Sequence, residues 1–526
     1  SRGCLDYCPI VSNHKKYHIK KFNHLFAMHT KIKQIRNITT AAIIINSMLM
    51  GTLLAEPIYH PSGPKLTFGG MTHRQLTVSD MGNPAHPASI PYPEGDNGLY
   101  GGGLSIGLGI EYDGNDNLFK LLDQLGSDDA LAPGDGGEPG DGQDSNTNLQ
   151  DLIDSILNQV DPTDAQIAEL QALVDEITVK AIALGTFVAT SVTGLNAKAF
   201  VSADVPILIS NDSIGAWTFG ANTSITTNLR GLNDPITFDS EKALIALQDI
   251  YNLDSTSGIT TYDLSGGASV TVDPATGEAT FLFENNSATI TRAAQITEIS
   301  LGYSRKIWQQ DDNKIYLGVK PKYFDVGLSN NFVFISNIEN AKSIFDALDK
   351  SSFNYTQDFG IDLGAIWSGK QYQLGATLTN INEPDFQFPE IDLSSISNPD
   401  IKNAILESQT YVMERQLKLE AGFITPGGAW GLNFGLDANA VPDPMLDDYQ
   451  WVSVGAGFAS DSWWLPGARL GVRKNMVGTE LTYVTAGITV FNIVNLDLAT
   501  TTDTITVNDQ TVPRGLIVNI GAQVLF

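Results

Sequence analysis

The residue types best suited to catalysis are few, and they cluster at one end of the chain. Cys4 and Cys8 are the only cysteines, and His14, His18, His24, His29, His60, His73 and His86 are the only histidines. Both cysteines precede Met28, and no histidine follows His86. Thiol–disulfide chemistry needs a reactive cysteine pair in the working protein, and hydrolysis at neutral pH ordinarily needs a histidine to carry the proton. No catalytic site is therefore expected, and no enzyme. Asp135, Glu138, Asp141 and Asp144 are spaced as Ca²⁺ ligands could be, but the segment GDGGEPGDGQD (134–144) matches no defined calcium loop. An acidic flexible linker is the preferred reading, so no metal and no cofactor are expected.

The other chemically distinctive residues are charges placed at every second position. Lys320, Lys322, Asp362, Lys418 and Glu420 each sit in a segment where polar or glycine residues alternate with apolar ones. In 295–307, Ile299, Leu301, Tyr303 and Ile307 oppose Glu298, Ser300, Ser304 and Lys306. In the next segment Ile315, Leu317, Val319 and Tyr323 oppose Lys314, Lys320 and Lys322. Phe359, Ile361, Leu363, Ala365 and Trp367 oppose Asp358, Gly360, Asp362 and Gly364, while Met413, Leu417, Leu419, Ala421 and Phe423 oppose Glu414, Gln416, Lys418 and Glu420. One apolar and one wet face over about 10 residues is what a strand needs between lipid and an aqueous lumen. A soluble sandwich also alternates, but its strands average about 5–6 residues. The five charges are thus expected to face a lumen.

The elements that hold them follow from the connections. After 307 these alternate in length: 309–313, 368–370, 425–429, 460–464 and 491–493 are short, while 329–354, 382–410, 438–448, 474–481 and 501–514 are longer. Outer-membrane barrels pair short periplasmic turns with long outer loops in this way. Trp308, Trp367, Trp430, Trp451, Trp463 and Trp464 fall at strand ends or in turns, as in an interfacial girdle. The closing LIVNIGAQVLF alternates to a terminal Phe526, a pattern that resembles the signal read by the barrel-assembly machinery.

Export is legible too. Lys31, Lys33 and Arg36 precede an apolar stretch over 38–54, and Ala55 precedes Glu56. A signal peptide is predicted over 28–55, cleaved between Ala55 and Glu56; residues 1–27 read as a non-native upstream extension. Asn46 and Ser47 interrupt the apolar stretch and disfavour an uncleaved anchor. After Ala55, 23 basic residues stand against 58 acidic ones, within a formal net charge of −28 overall. Nucleic acid is not an expected partner of such a chain.

The N-terminal half is less regular. Strands are predicted at 99–112, 197–209 and 216–229, with another over 268–284 turning at 273–277. A helical insertion follows the acidic linker, within about 113–183, and a short helix is predicted at 241–251. The fold expected is all-β and transmembrane: one antiparallel outer-membrane barrel of about 14 strands, or alternatively about 16, spanning 99–526.

Several short motifs, in order, carry a resemblance: MGNPA (81–85), LYGGGLSIGLG (99–109), LGATLTNINEP (374–384), YQWVSVGAGF (449–458) and ARLGVRKN (468–475). The chain resembles the conjugal-transfer TraF-like outer-membrane family, itself similar to the FadL-type fatty-acid channels. The resemblance implies location in the outer membrane of a Gram-negative cell and an N-terminal plug that includes Asn83, Pro84 and Ala85. Residues 56–98 are such a plug or an ordinary periplasmic segment. Two functions are open: a barrel that binds or passes a small hydrophobic molecule, or a non-transporting envelope scaffold associated with conjugal plasmid transfer. Expected partners are outer-membrane lipid, the barrel-assembly machinery, a small hydrophobic ligand and envelope proteins.

Overall fold

The computed structural model of the chain describes residues 65–68, 82–92, 98–113, 195–234, 258–334 and 352–525, with short internal gaps, and single positions between 242 and 250. The expected signal with its cleavage point at Ala55 and Glu56, the upstream stretch 1–27, the acidic linker and helices between 114 and 194, and Phe526 lie outside the described residues. Positions 242, 245, 246, 249 and 250 are helical, inside the short helix expected there.

Fourteen strands close into one barrel. They are β1 (Gly98–Asp113), β2 (Asn196–Asn211), β3 (Gly215–Leu232), β4 (Ala288–Gln310), β5 (Asn313–Phe334), β6 (Asn354–Ser368), β7 (Tyr372–Thr379), β8 (Gln416–Ile424), β9 (Trp430–Asp437), β10 (Trp451–Phe458), β11 (Gly467–Asn475), β12 (Thr482–Val490), β13 (Val494–Thr501) and β14 (Gly515–Leu525). Each pairs antiparallel with the next, and β14 closes on β1 from Gly101↔Leu525 to Glu111↔Gly515. Closure leaves no open edge around the wall, so its peptide groups bond to neighbouring strands rather than to water, as a hydrocarbon layer demands. The wall is uneven: β4 and β5 run 23 and 22 residues, but β7, β9, β10 and β13 only eight. Eight residues at ~3.3 Å rise, tilted ~40°, still cover ~20 Å of bilayer.

The faces are inverted relative to a water-soluble fold. Leu470 on the outer face of β11 is 66% exposed, whereas Asp497 on the inner face of β13 is 0% exposed. Leu104, Ile106 and Leu108 of β1 are exposed along the same strand in which Ser105 and Glu111 are buried. An apolar belt running round the whole circumference far exceeds what a water-facing surface carries; it fits lipid. No helix among the described residues is long and apolar enough to cross a membrane.

All tight turns between barrel strands lie at one end, between β2 and β3, β4 and β5, β6 and β7, β8 and β9, and β12 and β13. Both Gly98, where β1 begins, and Leu525, where β14 finishes, lie at this short-turn end. Trp217, Trp308, Trp367, Trp430 and Trp464 are exposed there too, forming a girdle at that rim. Three sequence expectations are corrected. Trp451 belongs to no girdle: it starts β10 at the opposite end and packs inward on Tyr449 and Tyr483. Met413 is 0% exposed and faces the interior, because it precedes β8 and its amide is tied to the carbonyl of Pro384. The 268–284 hairpin forms, as Ala268–Asp273 paired with Glu278–Phe283, but it belongs to a separate three-stranded sheet in the β3–β4 connection.

Candidate functional site

The lumen holds three layers of different chemistry. The middle layer is ionic. Asp362 of β6 lies between Lys322 (2.7 Å) and Lys320 (3.6 Å) of β5. Lys322 also donates to Asn380 Oδ1 at 2.6 Å, and the Asn380 amide returns a bond to Asp362 Oδ1 at 2.9 Å. Asn380 has φ 51°, a left-handed backbone that asparagine tolerates, and there the chain leaves β7. Lys418 and Glu420 also lie on the inward face, Lys418 in register with Thr377 and Asp437 and Glu420 with Gly375 and Gly435. Across the lumen Arg469 grips Asp497 with two bonds, from Nε (2.7 Å) and from Nη2 (2.6 Å).

Two N-terminal segments sit against this layer. Helix α1 (Lys65–Phe68) packs on β9 to β13, with Leu66 0% exposed and the Thr67 hydroxyl donating to Asp497 Oδ1 at 3.2 Å. Residues 82–92 include α2 (His86–Ser89), which packs on β2 to β6. Asn83 Nδ2 donates to the wall carbonyls of Ala365 (3.4 Å) and Ala376 (3.3 Å), and its Oδ1 accepts from the Ala85 amide at 2.9 Å. The turn fits because the wall opposite has no side chains: Gly318 and Gly364 are register partners on β5 and β6, and a Cβ on either would overlap Pro84 or Asn83. Asn83 also hydrogen-bonds Glu420, near which Lys65 and Lys418 lie. Asn83, Ala85 and His86 are all buried. Burial, with Lys65 nearby, lowers the His86 pKa to about 4, so its ring is neutral at physiological pH.

The outer layer is apolar and was not foreseen from sequence. Ala294 and Ile296 of β4 and Phe324, Val326 and Leu328 of β5 point inward and are buried. Two long connections fold in to meet them. The β7–β8 connection brings Phe386, Phe388, Tyr411 and Met413, and the β9–β10 connection brings Val441, Met445 and Tyr449. The strand pair Asp385–Gln387 and Thr410–Val412 stiffens the first, while α3 (Pro399–Glu407), capped by Asn398, packs outside it against Leu232, Phe332 and Phe334. The only sequence signal was the run of apolar residues inside segments otherwise built like loops.

A buried ion network pins the second connection. Lys198 of β2 contacts Asp443 and, at 2.6 Å, Asp447, and Arg230 of β3 contacts Asp447. Lys198 also donates to the Tyr449 hydroxyl at 2.9 Å, and Tyr449 and Tyr483 both donate to Glu111. Burial raises the Asp443 carboxyl, to about 6, against the pull of Lys198. Burial acts on Asp447 as well, but Lys198 and Arg230 outweigh it and hold that carboxyl low.

Residues 80–437 match the family described as F plasmid transfer operon, TraF, protein. The chain belongs to that family. Among solved structures it is similar to the deltaS2S3 mutant of the TodX monoaromatic hydrocarbon channel, at 9% identity over 89% of this chain and 98% of that one, with a TM-score of 0.38. It is also similar to a Pseudomonas aeruginosa FadL homologue, at 11% identity over 90% of this chain and 99% of that one, with a TM-score of 0.27. A mutant of the Rh. blastica porin matches at 10% identity over 63% of this chain and 91% of that one, with a TM-score of 0.21. No curated protein matches the chain. The chain is thus a TraF-family protein folded as a closed fourteen-stranded β-barrel with an apolar outer face, and the lumen is where its chemistry lies.

Proposed function

We propose that this TraF-family barrel is a plugged outer-membrane channel that binds and passes a small hydrophobic molecule. The observation that carries the reading is the inward apolar cluster of the outer layer, in a barrel whose lower inward positions are mostly polar. Buried Met and aromatic side chains there, Met413, Met445, Phe324, Phe386 and Tyr411, can repack around a guest because methionine is unbranched and polarizable. The guest enters through the two inward-folded connections, and residues 82–92 act as a plug beneath, held by Asn83, Pro84 and Ala85 in their glycine notch. Glu420 helps hold the plug through Asn83, with Lys418 beside it, while Lys320, Lys322 and Asp362 brace the wall as an ion cluster; none of the five contacts the ligand.

The test is saturable uptake of radiolabelled naphthalene by cells making the protein, compared with cells making Phe386→Glu. Uptake above background, lost in the variant while the barrel still assembles, is the expected result. Equal uptake with and without the protein sinks the proposal. The family description favours a second reading, an envelope scaffold for plasmid transfer. That reading predicts unchanged uptake together with a fall in transfer frequency when the gene is deleted.

A further inference from the structure

Below the plug lies a cavity of about 670 Å³ that opens at the short-turn end. Its roof is His86 to Tyr92, and its walls come from the lower ends of β2 to β9. Volumes of roughly 300–1,000 Å³ suit a small organic ligand. Lys306, Lys314 and Lys370 line it, with Arg305 at the rim, against only two carboxylates, Asp212 and Asp312. Lys306 and Lys314 lie on the inward face, in register with Tyr316 and Gln309. Among the described residues none of the four cations makes an ion pair or hydrogen bond, whereas Lys198, Lys322 and Arg469 higher in the lumen are each paired with a carboxylate. Concentrating unpaired positive charge is notable in a chain of net charge −28. Beside these cations are apolar and aromatic surfaces, Ile90, Pro91, Tyr92 and Tyr316.

We propose that this vestibule is a binding site for a small aromatic carboxylate, its anionic group between Lys306 and Lys314 and its ring against Tyr92 and Tyr316. The cations supply charge-assisted hydrogen bonds to the carboxylate, and the tyrosines offer a face that needs no further polar partner. The neutral His86 ring in the roof adds no competing charge. The site is reached from the short-turn end, so it does not depend on any molecule passing the plug.

The probe is 2-naphthoate, titrated calorimetrically into the refolded full barrel in detergent, with empty micelles as the blank and neutral 2-methoxynaphthalene as the uncharged comparison. Saturable one-to-one binding of the carboxylate is expected, weakened about tenfold or more by Lys306→Gln with Lys314→Gln. Lys474→Gln, exposed at the opposite end, should leave it unchanged. Heat-modifiable migration on gels shows that each variant is folded. Absence of saturable binding to the wild type overturns the proposal, as does equal binding of the neutral comparison compound or undiminished binding by the double variant. Failure of naphthalene uptake does not bear on it.

Discussion

At the scale of single residues, Gly318 and Gly364 matter for what they lack. They face each other across β5 and β6, and the peptide of Pro84 and the side chain of Asn83 occupy the space a Cβ would need. A Gly364→Ala substitution keeps the strand hydrogen bonds but overpacks the notch, at a cost of about 1–3 kcal/mol to seating of the plug. We expect single-channel conductance in planar bilayers to rise with little change in thermal stability of the wall. Conductance identical to wild type would show that residues 82–92 do not limit the path. Asp362 behaves oppositely, because it is structural to the wall itself. Lys322 has a side chain 3% exposed, and removing its carboxylate leaves a buried cation with only Asn380. Loss of one partner from a buried pair costs about 3–5 kcal/mol, so Asp362→Ala should unfold at clearly lower urea. Asp362→Asn, which can still accept from the Asn380 amide, should lose less. Equal midpoints for both variants and wild type would place the Lys322 charge in water.

At the scale of elements, the segment 82–92 is held by groups whose protonation can change. His86 titrates near 4 where it is docked, against an ordinary value of about 6.5. Between those pH values the undocked segment binds more protons than the docked one, so docking weakens as pH falls from 6.5 to 4 and loses nothing further below that. The full effect is roughly 3 kcal/mol. Conductance should therefore rise on acidification from pH 7 to 4.5, and His86→Gln should flatten the response. Asp443, raised to about 6 at the other end of the lumen, titrates in the same range but with the opposite sign, because its folded connection binds the proton more tightly and is favoured as pH falls. A His86→Gln protein with the same rise in conductance on acidification would therefore overturn the assignment to His86. These elements also mark where sequence was readable. Period-two alternation gave the wall, since the lipid and lumen faces impose opposite polarities on Leu317 and Lys322 or on Leu363 and Asp362. It could not give the inward folding of Phe386, Tyr411, Met445 and Tyr449, because those residues obey no strand period and are fixed only by the tertiary surface they meet. For the same reason Trp451 read as interfacial, although the Arg473 guanidinium lies 3.9 Å from its ring centroid inside the lumen.

At the scale of the whole molecule, the fold fixes a direction. Every tight turn between barrel strands and both ends of the closed wall lie on one side, and the connections 380–415 and 438–450, with the strand ends Asp113, Leu232 and Phe334, lie on the other. A barrel assembled from the periplasm keeps its short turns there and sends its long connections across the membrane. The apolar outer layer then faces the outside of the cell, and the cationic vestibule faces the periplasm. The cysteine content makes this testable without background, because the chain has only Cys4 and Cys8, before the expected cleavage point. Asn403, exposed on α3, and Asn492, exposed in the β12–β13 turn, sit at opposite ends. In intact cells a membrane-impermeant maleimide should label Asn403→Cys promptly and leave Asn492→Cys unlabelled until the outer membrane is permeabilised. The opposite pattern would invert the barrel. The roof of the vestibule would then face the medium, and the Lys306–Lys314 site would sample external anions rather than those of the periplasm.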